Sequence, residues 1–159
     1  MSELTLEEYE AINPETIVKF RGQDLRYWTP TGYTLNRAMC LFEKGGMYER
    51  ETIRWIHSMD EGDLLVDIGA NVGTYSIFAA ANNLKVIAIE PESSNYSALN
   101  RNIKINDFDR KITAYCLGMS DKTGPDELNI HNEGLGYSCH NVGEDLSPTG
   151  VSMLYPVDM

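Results

Sequence analysis

The sequence predicts a doubly wound α/β domain, and three observations carry that prediction. Short continuous apolar runs at Leu64-Leu65-Val66, Val86-Ile87-Ala88-Ile89 and Ile112 to Leu117 suit parallel strands covered on both faces. Helical spacing fills the gaps between them, giving the strand–helix alternation of a parallel sheet wound by crossover helices. A glycine-rich turn within "VDIGANVGTYSIFAA", residues 66 to 80, joins the first of these strands to its helix.

The elements follow in chain order. Residues 17–42 predict short strands or a hairpin, broken at Gly22-Gln23-Asp24 and at Pro30-Thr31-Gly32. In "MYERETIRWIHSM" the apolar Ile53, Ile56 and Met59 recur three apart, which predicts a helix with one buried stripe. Gly62 ends it as a C-cap would. Tyr75 to Ala81 suits the helix after the glycine turn. Ser93 or Ser94 can cap the next helix, whose Tyr96, Leu99 and Ile103 share one face. Trp55, Tyr75, Phe78 and Tyr96 are expected in the core, and His57 is expected to be structural. Residues 121–150 are rich in Gly, Asn, Asp, Ser and Pro and predict turns around short strands such as Leu128-Asn129-Ile130.

Composition narrows the class. The 159 residues fit one domain; 42% hydrophobic and 23% charged are ordinary for a soluble globular chain. The formal charge of −11 lacks the basic footprint of a nucleic-acid binder, so no nucleic-acid partner is expected. Cys40, Cys116 and Cys139 are odd in number and far apart. They suit neither a disulfide framework nor a zinc site, and no metal is expected. The acidic N-terminus lacks the basic start and apolar core of a signal peptide. No apolar run reaches the roughly 20 residues of a membrane span. A cytoplasmic protein with no membrane partner is the expectation.

The glycine turn is the functional candidate. In a doubly wound sheet a ligand binds beyond the carboxyl ends of the strands, where Asp67 to Gly73 lie. Glycine for the geometry of a tight turn alone is the simpler account. Against it, Glu90 ends the next strand about 20 residues on, where an acid holds a ribose through its hydroxyls. The dinucleotide fingerprint G-x-G-x-x-G, started at Gly69, would need glycine at Asn71 and Thr74. The missing second glycine removes the close approach of a pyrophosphate. No Gly-Lys-Ser/Thr occurs, which removes a P-loop. A nucleoside without a pyrophosphate suggests S-adenosylmethionine (SAM).

Three segments, "DLLVDIGANVGTYSIFAA", "VIAIEPESSNYSALNRNIKIND" and "AYCLGMSDKTG", resemble in order and spacing the motifs of the FkbM-type family of SAM-dependent methyltransferases. The resemblance runs from about Tyr48 to Gly124. It implies a Rossmann-like class I methyltransferase sheet, with only its first half present in strand order 3-2-1, preceded by a β-hairpin and helix. It divides the chain into an N-terminal hairpin and helix, 1–62, and a SAM-binding core, 63–159, incomplete at the C-terminus. The implied activity is O-methyl transfer to a hydroxyl of a sugar or another small natural-product scaffold.

The resemblance also implies roles at matching positions. Gly69, Ala70, Asn71 and Gly73 would pass beneath the methionine part of SAM, their backbone N–H groups facing its carboxylate. Asp67 would brace the loop and meet the cofactor's amino group. Glu90 would accept from both ribose hydroxyls, Pro91 and Glu92 would border the adenine, and Glu49 would supply an acid near the cofactor. Each has a plainer alternative: Asp67 satisfying loop amides, Glu90 a solvated strand end, Glu49 favouring a helix dipole. No residue is assigned as catalytic base, although Asp121, His131, Glu133 and His140 follow the third strand. The family's fourth-strand acidic segment has no counterpart between Gly124 and Met159. Two other functions therefore stand beside the enzyme: a SAM-binding remnant acting through a partner, and a dinucleotide-binding oxidoreductase domain. With no later strand, the Leu64–Ile68 strand would have an open edge, covered either by a homodimer or by residues 126–157 folding back.

Overall fold

The computed structural model describes residues 14–40, 50–129, 134–137, 141–142 and 150–156. β1 (Glu15–Phe20) and β2 (Gln23–Trp28) form an antiparallel hairpin. It turns at Arg21 and Gly22, both at positive φ (47° and 81°). The next segment corrects the sequence expectation of further strands: Gly32–Cys40 is a helix, α1. Its start is fixed by a reciprocal pair, the Thr31 N–H donating to Thr34 Oγ1 and the Thr34 N–H donating to Thr31 Oγ1. Such a box satisfies two helix-end amides at once.

Helix α2 (Arg50–Ser58) buries Ile56 and packs Ile53 against the core, joined by Met59 just past its end. Trp55 lies off that stripe and is exposed, contrary to expectation. Gly62, at φ 90°, sits in the turn beyond the helix and donates its N–H to the Asn83 carbonyl, so it shapes the approach to β3 rather than capping α2.

β3 (Leu64–Ile68), β4 (Lys85–Ile89) and β5 (Ile112–Tyr115) form a parallel sheet in the order β3-β4-β5, which is the 3-2-1 arrangement. Right-handed crossovers running one way across a sheet place their helices on the same face. Those helices are α3 (Thr74–Ala81) and α4 (Ser93–Ile105). They bury Leu65, Val86 and Ile112 in one core with Phe78, Leu99 and Ile103. Leu25 and Tyr27 of the hairpin, Ala38 of α1 and Ile56 of α2 join the same cluster, so the core runs across residue 62. On the other face the side chains of β3 are exposed: Leu64, Val66 and Ile68 are 53%, 47% and 53% exposed, whereas Ile89 of β4 is buried. That corrects the expectation of a first strand covered on both sides.

A second sheet, in the order β6-β9-β7-β8, is built from β6 (Gly118–Ser120), β7 (Gly124–Asn129), β8 (Asn141–Val142) and β9 (Gly150–Pro156). It buries Leu128 and Leu154. Among the described residues it does not pair with β3, which has a hydrogen-bonded neighbour only in β4; the expected fold-back over that edge is absent from them.

The face of α4 toward the hairpin carries amides that finish the free edge of β2. Asn102 accepts the Trp28 N–H at 2.7 Å and donates to the Val72 carbonyl at 2.8 Å. Asn106 accepts the Arg26 N–H at 2.8 Å and donates to the Arg26 carbonyl at 2.7 Å. An exposed strand edge thus becomes a docked one.

Candidate functional site

The turn after β3 is held from within. The N–H groups of Gly69 and Ala70 both donate to the Ile89 carbonyl at the end of β4. The Asn71 N–H donates to Glu90 Oε2 at 2.8 Å, and the Val72 N–H to Asn71 Oδ1 at 2.9 Å. The Gly73 N–H donates to the Ala70 carbonyl. All five amides from Gly69 to Gly73 therefore have acceptors inside the chain. The expectation that they face a ligand carboxylate is corrected: the turn spends them on its own shape.

Two of its glycines have different reasons. Gly73, at φ 85°, has no room for a side chain, because a Cβ there would run into the Leu99 side chain. This contact sets how closely α3 approaches α4. Gly69, at φ 77°, is exposed, and a Cβ there meets nothing within 4 Å. Its conformation needs glycine, and the space above it is open. Asn71 occupies the left-handed region at φ 53°, which Asn tolerates better than most residues.

Glu90 is buried, at 4% exposure. Besides the Asn71 N–H, it accepts the Glu92 N–H on Oε1 at 3.0 Å. Burial pushes its carboxyl above the usual range, and the charge of Glu92 adds to this, while the two amides and the Asn95 side chain oppose it. The acid is a stitch between turn and strand rather than a solvated strand end. Glu92, expected at an adenine, is the N-cap of α4: its carboxylate accepts the Ser94 and Asn95 N–H groups at 2.8 and 2.7 Å. The carboxylate takes the capping role expected of Ser93 or Ser94, which fall in the first turn. Pro91, between the two acids, is half-buried.

Asp67, also half-buried, accepts the Ser76 hydroxyl at 2.6 Å, tying the strand end to α3. Glu49, His131, Glu133 and His140 lie outside the described residues, and Asp121 is exposed. Sequence reasoning missed three residues of this cluster. Ser76, Asn95 and Tyr137 meet Asp67, Glu90 and Asn71 from other elements. Ser76 and Asn95, nine and five residues from their partners, were within reach of a local pattern; Tyr137, 66 residues from Asn71, was not. Among the described residues no cluster of three or more metal-ligating side chains occurs.

A parallel 3-2-1 sheet, with a braced glycine turn after its first strand and an acid ending its second, defines a Rossmann-like domain of the SAM-dependent methyltransferase class. The family model of the TRM5/TYW2 methyltransferase domain matches residues 30–130. This covers well over half of the chain, and the chain belongs to that family. The match supports a SAM-dependent methyltransferase domain of the TRM5/TYW2 type rather than the FkbM-type family specifically.

The chain is 31% identical over 71 residues to the methyltransferase sdnD of Sordaria araneosa, covering 43% of this chain and 27% of that protein. Similar solved structures include P. horikoshii TYW2 in complex with MeSAdo (24% identity, TM-score 0.46, 69% of this chain and 38% of that one). Another is the M. jannaschii tRNA m1G37 methyltransferase (29% identity, TM-score 0.42, 64% and 28%). The chain thus spans well under half the length of each.

Proposed function

We propose that this chain is the cofactor-binding portion of a SAM-dependent methyltransferase. The observation that carries the reading is the Asn71–Glu90 lock, which sets a glycine turn against a buried acid inside the region matched by the family. The residues fit the cofactor: Gly69 opens onto free space, and the Glu90 carboxylate, having accepted two backbone amides and the Asn95 side chain, keeps one of its about four acceptor sites for a ribose hydroxyl. In this reading Gly69, Ala70, Asn71 and Gly73 floor the methionine part and Asp67 receives its ammonium. Glu90 holds the ribose, and Pro91 borders the adenine. Recognition runs through carboxylates and the open side of Gly69, because the loop amides are engaged elsewhere.

When bound, SAM supplies an electrophilic methyl group for in-line displacement. The chain's part is to fix the donor's orientation and hold water away from it. The acceptor favoured by the family is an RNA base, as in the tRNA methyltransferases that carry this domain. A small-molecule hydroxyl is the second reading, favoured by the charge of −11, which opposes a phosphate backbone.

The test is calorimetry of the chain with SAM, S-adenosylhomocysteine (SAH) and NAD, followed by transfer of labelled methyl to transcribed tRNA and to hydroxylated small molecules. SAM and SAH should bind and NAD should not. Tighter binding of NAD contradicts the assignment; label on tRNA or on a small molecule separates the two acceptors.

A further inference from the structure

Residues 134–137 lie across the Asn71 side of the glycine turn and are held almost entirely by main-chain hydrogen bonds. The Tyr137 carbonyl accepts from Asn71 Nδ2 at 2.8 Å and from Asn95 Nδ2 at 3.3 Å. The Gly136 N–H donates to Asn95 Oδ1 at 2.8 Å. From the opposite flank Thr31 Oγ1 donates to the Leu135 carbonyl at 2.8 Å, and Arg37 Nε to the Gly136 carbonyl at 3.2 Å. The Tyr137 ring meets Tyr33 of α1 edge-on, 5.5 Å between centroids. Gly136 is buried at φ 85°, and a Cβ on it would come within 2.8 Å of Thr34 Cγ2 and 3.1 Å of the Thr34 nitrogen. The segment therefore fits between α1 and the turn only with glycine at that position.

Asn71 connects this segment to the site. Its N–H goes to Glu90, its Oδ1 holds the Val72 N–H, and its Nδ2 goes to Tyr137. We propose that residues 134–137 act as a strap that positions the cofactor turn, with Asn71 and Asn95 as positioning residues, so that strap closure and cofactor binding favour each other. The proposal rests on the SAM reading above. Leu135 and Tyr137 are only half-buried. A segment held by hydrogen bonds of modest net strength, with little apolar burial, opens locally at lower cost than the core. Whatever stabilises the closed strap then stabilises the turn geometry at Glu90, and the reverse holds by linkage.

The experiment uses the full chain and its Gly136→Ala variant, in which the added methyl displaces the strap without touching Asn71 or Glu90. Hydrogen exchange is followed at the Asn71 amide, with the Val86 and Ala88 amides as core controls, and SAH affinity is measured by calorimetry. Gly136→Ala should speed exchange at Asn71, leave the core amides unchanged and weaken SAH binding about tenfold. Arg37→Gln, which removes one far-side contact and no core packing, should do the same to a smaller degree. In the parent, SAH should slow exchange of the Gly136 amide. Unchanged Asn71 exchange in both variants overturns the strap's hold on the turn whatever the ligand does. Faster exchange with unchanged SAH affinity overturns the coupling alone. A parent that binds no SAH overturns the cofactor reading, and the coupling with it.

Discussion

At the scale of single residues, Glu90 bears the most consequence. A solvated strand end would tolerate Glu90→Ala, but this carboxylate is buried and accepts two backbone amides. Truncation strands both donors, each worth about 1–3 kcal/mol when buried and unmade. Glu90→Ala is therefore expected to destabilise the chain by about 2–6 kcal/mol in chemical denaturation, besides any effect on a ligand. Because burial raises the folded-state pKa of Glu90 above its ordinary 4.5, its contribution to stability is complete below the unfolded value and is lost as pH rises through the folded one. Glu90→Gln, which cannot ionise, should flatten that part of the stability–pH curve. An identical slope in parent and variant would show that Glu90 does not titrate across that window.

At the scale of elements, the glycine turn depends on a helix that follows it by some twenty residues. Asn102 of α4 is fully buried and joins the Val72 carbonyl to the Trp28 N–H. Asn102→Ala should cost about 2–4 kcal/mol, since a buried carbonyl and a half-buried amide lose their partner, and should speed hydrogen exchange at Trp28. Stability within about 0.5 kcal/mol of the parent would show that water replaces the amide there. The parallel strands, α3 and α4 were legible in the sequence because each is written locally, in continuous apolar runs or helical spacing. Helix α1 was not: Tyr33, Thr34 and Leu35 suit a strand, and the Thr31–Thr34 box that decides otherwise is a two-residue signal. The acid at the end of β4 was legible from its distance to the glycines. Its burial was not, because the turn amide that meets it comes from Asn71, 19 residues earlier. The strap was invisible for the same reason, its partners being 42 and 66 residues away in sequence.

At the scale of the whole molecule, one core gathers the hairpin, α1, α2 and the helix-covered face of the sheet, while Leu64, Val66 and Ile68 stand bare on the other face. Everything that shapes the proposed site belongs to the covered half: the turn, Glu90, α4 and the strap. The proposed seat of a cofactor nucleoside is therefore where β3 and β4 end. Titration of isotope-labelled protein with SAH, with backbone amide shifts followed by NMR, locates that seat. Saturable shifts are expected at Gly69 to Gly73 and Glu90 to Glu92, extending to Gly136 and Tyr137, with the amides of β1 and β7 unmoved. Saturable shifts centred elsewhere, on the bare face of β3 or on the second sheet, would contradict it.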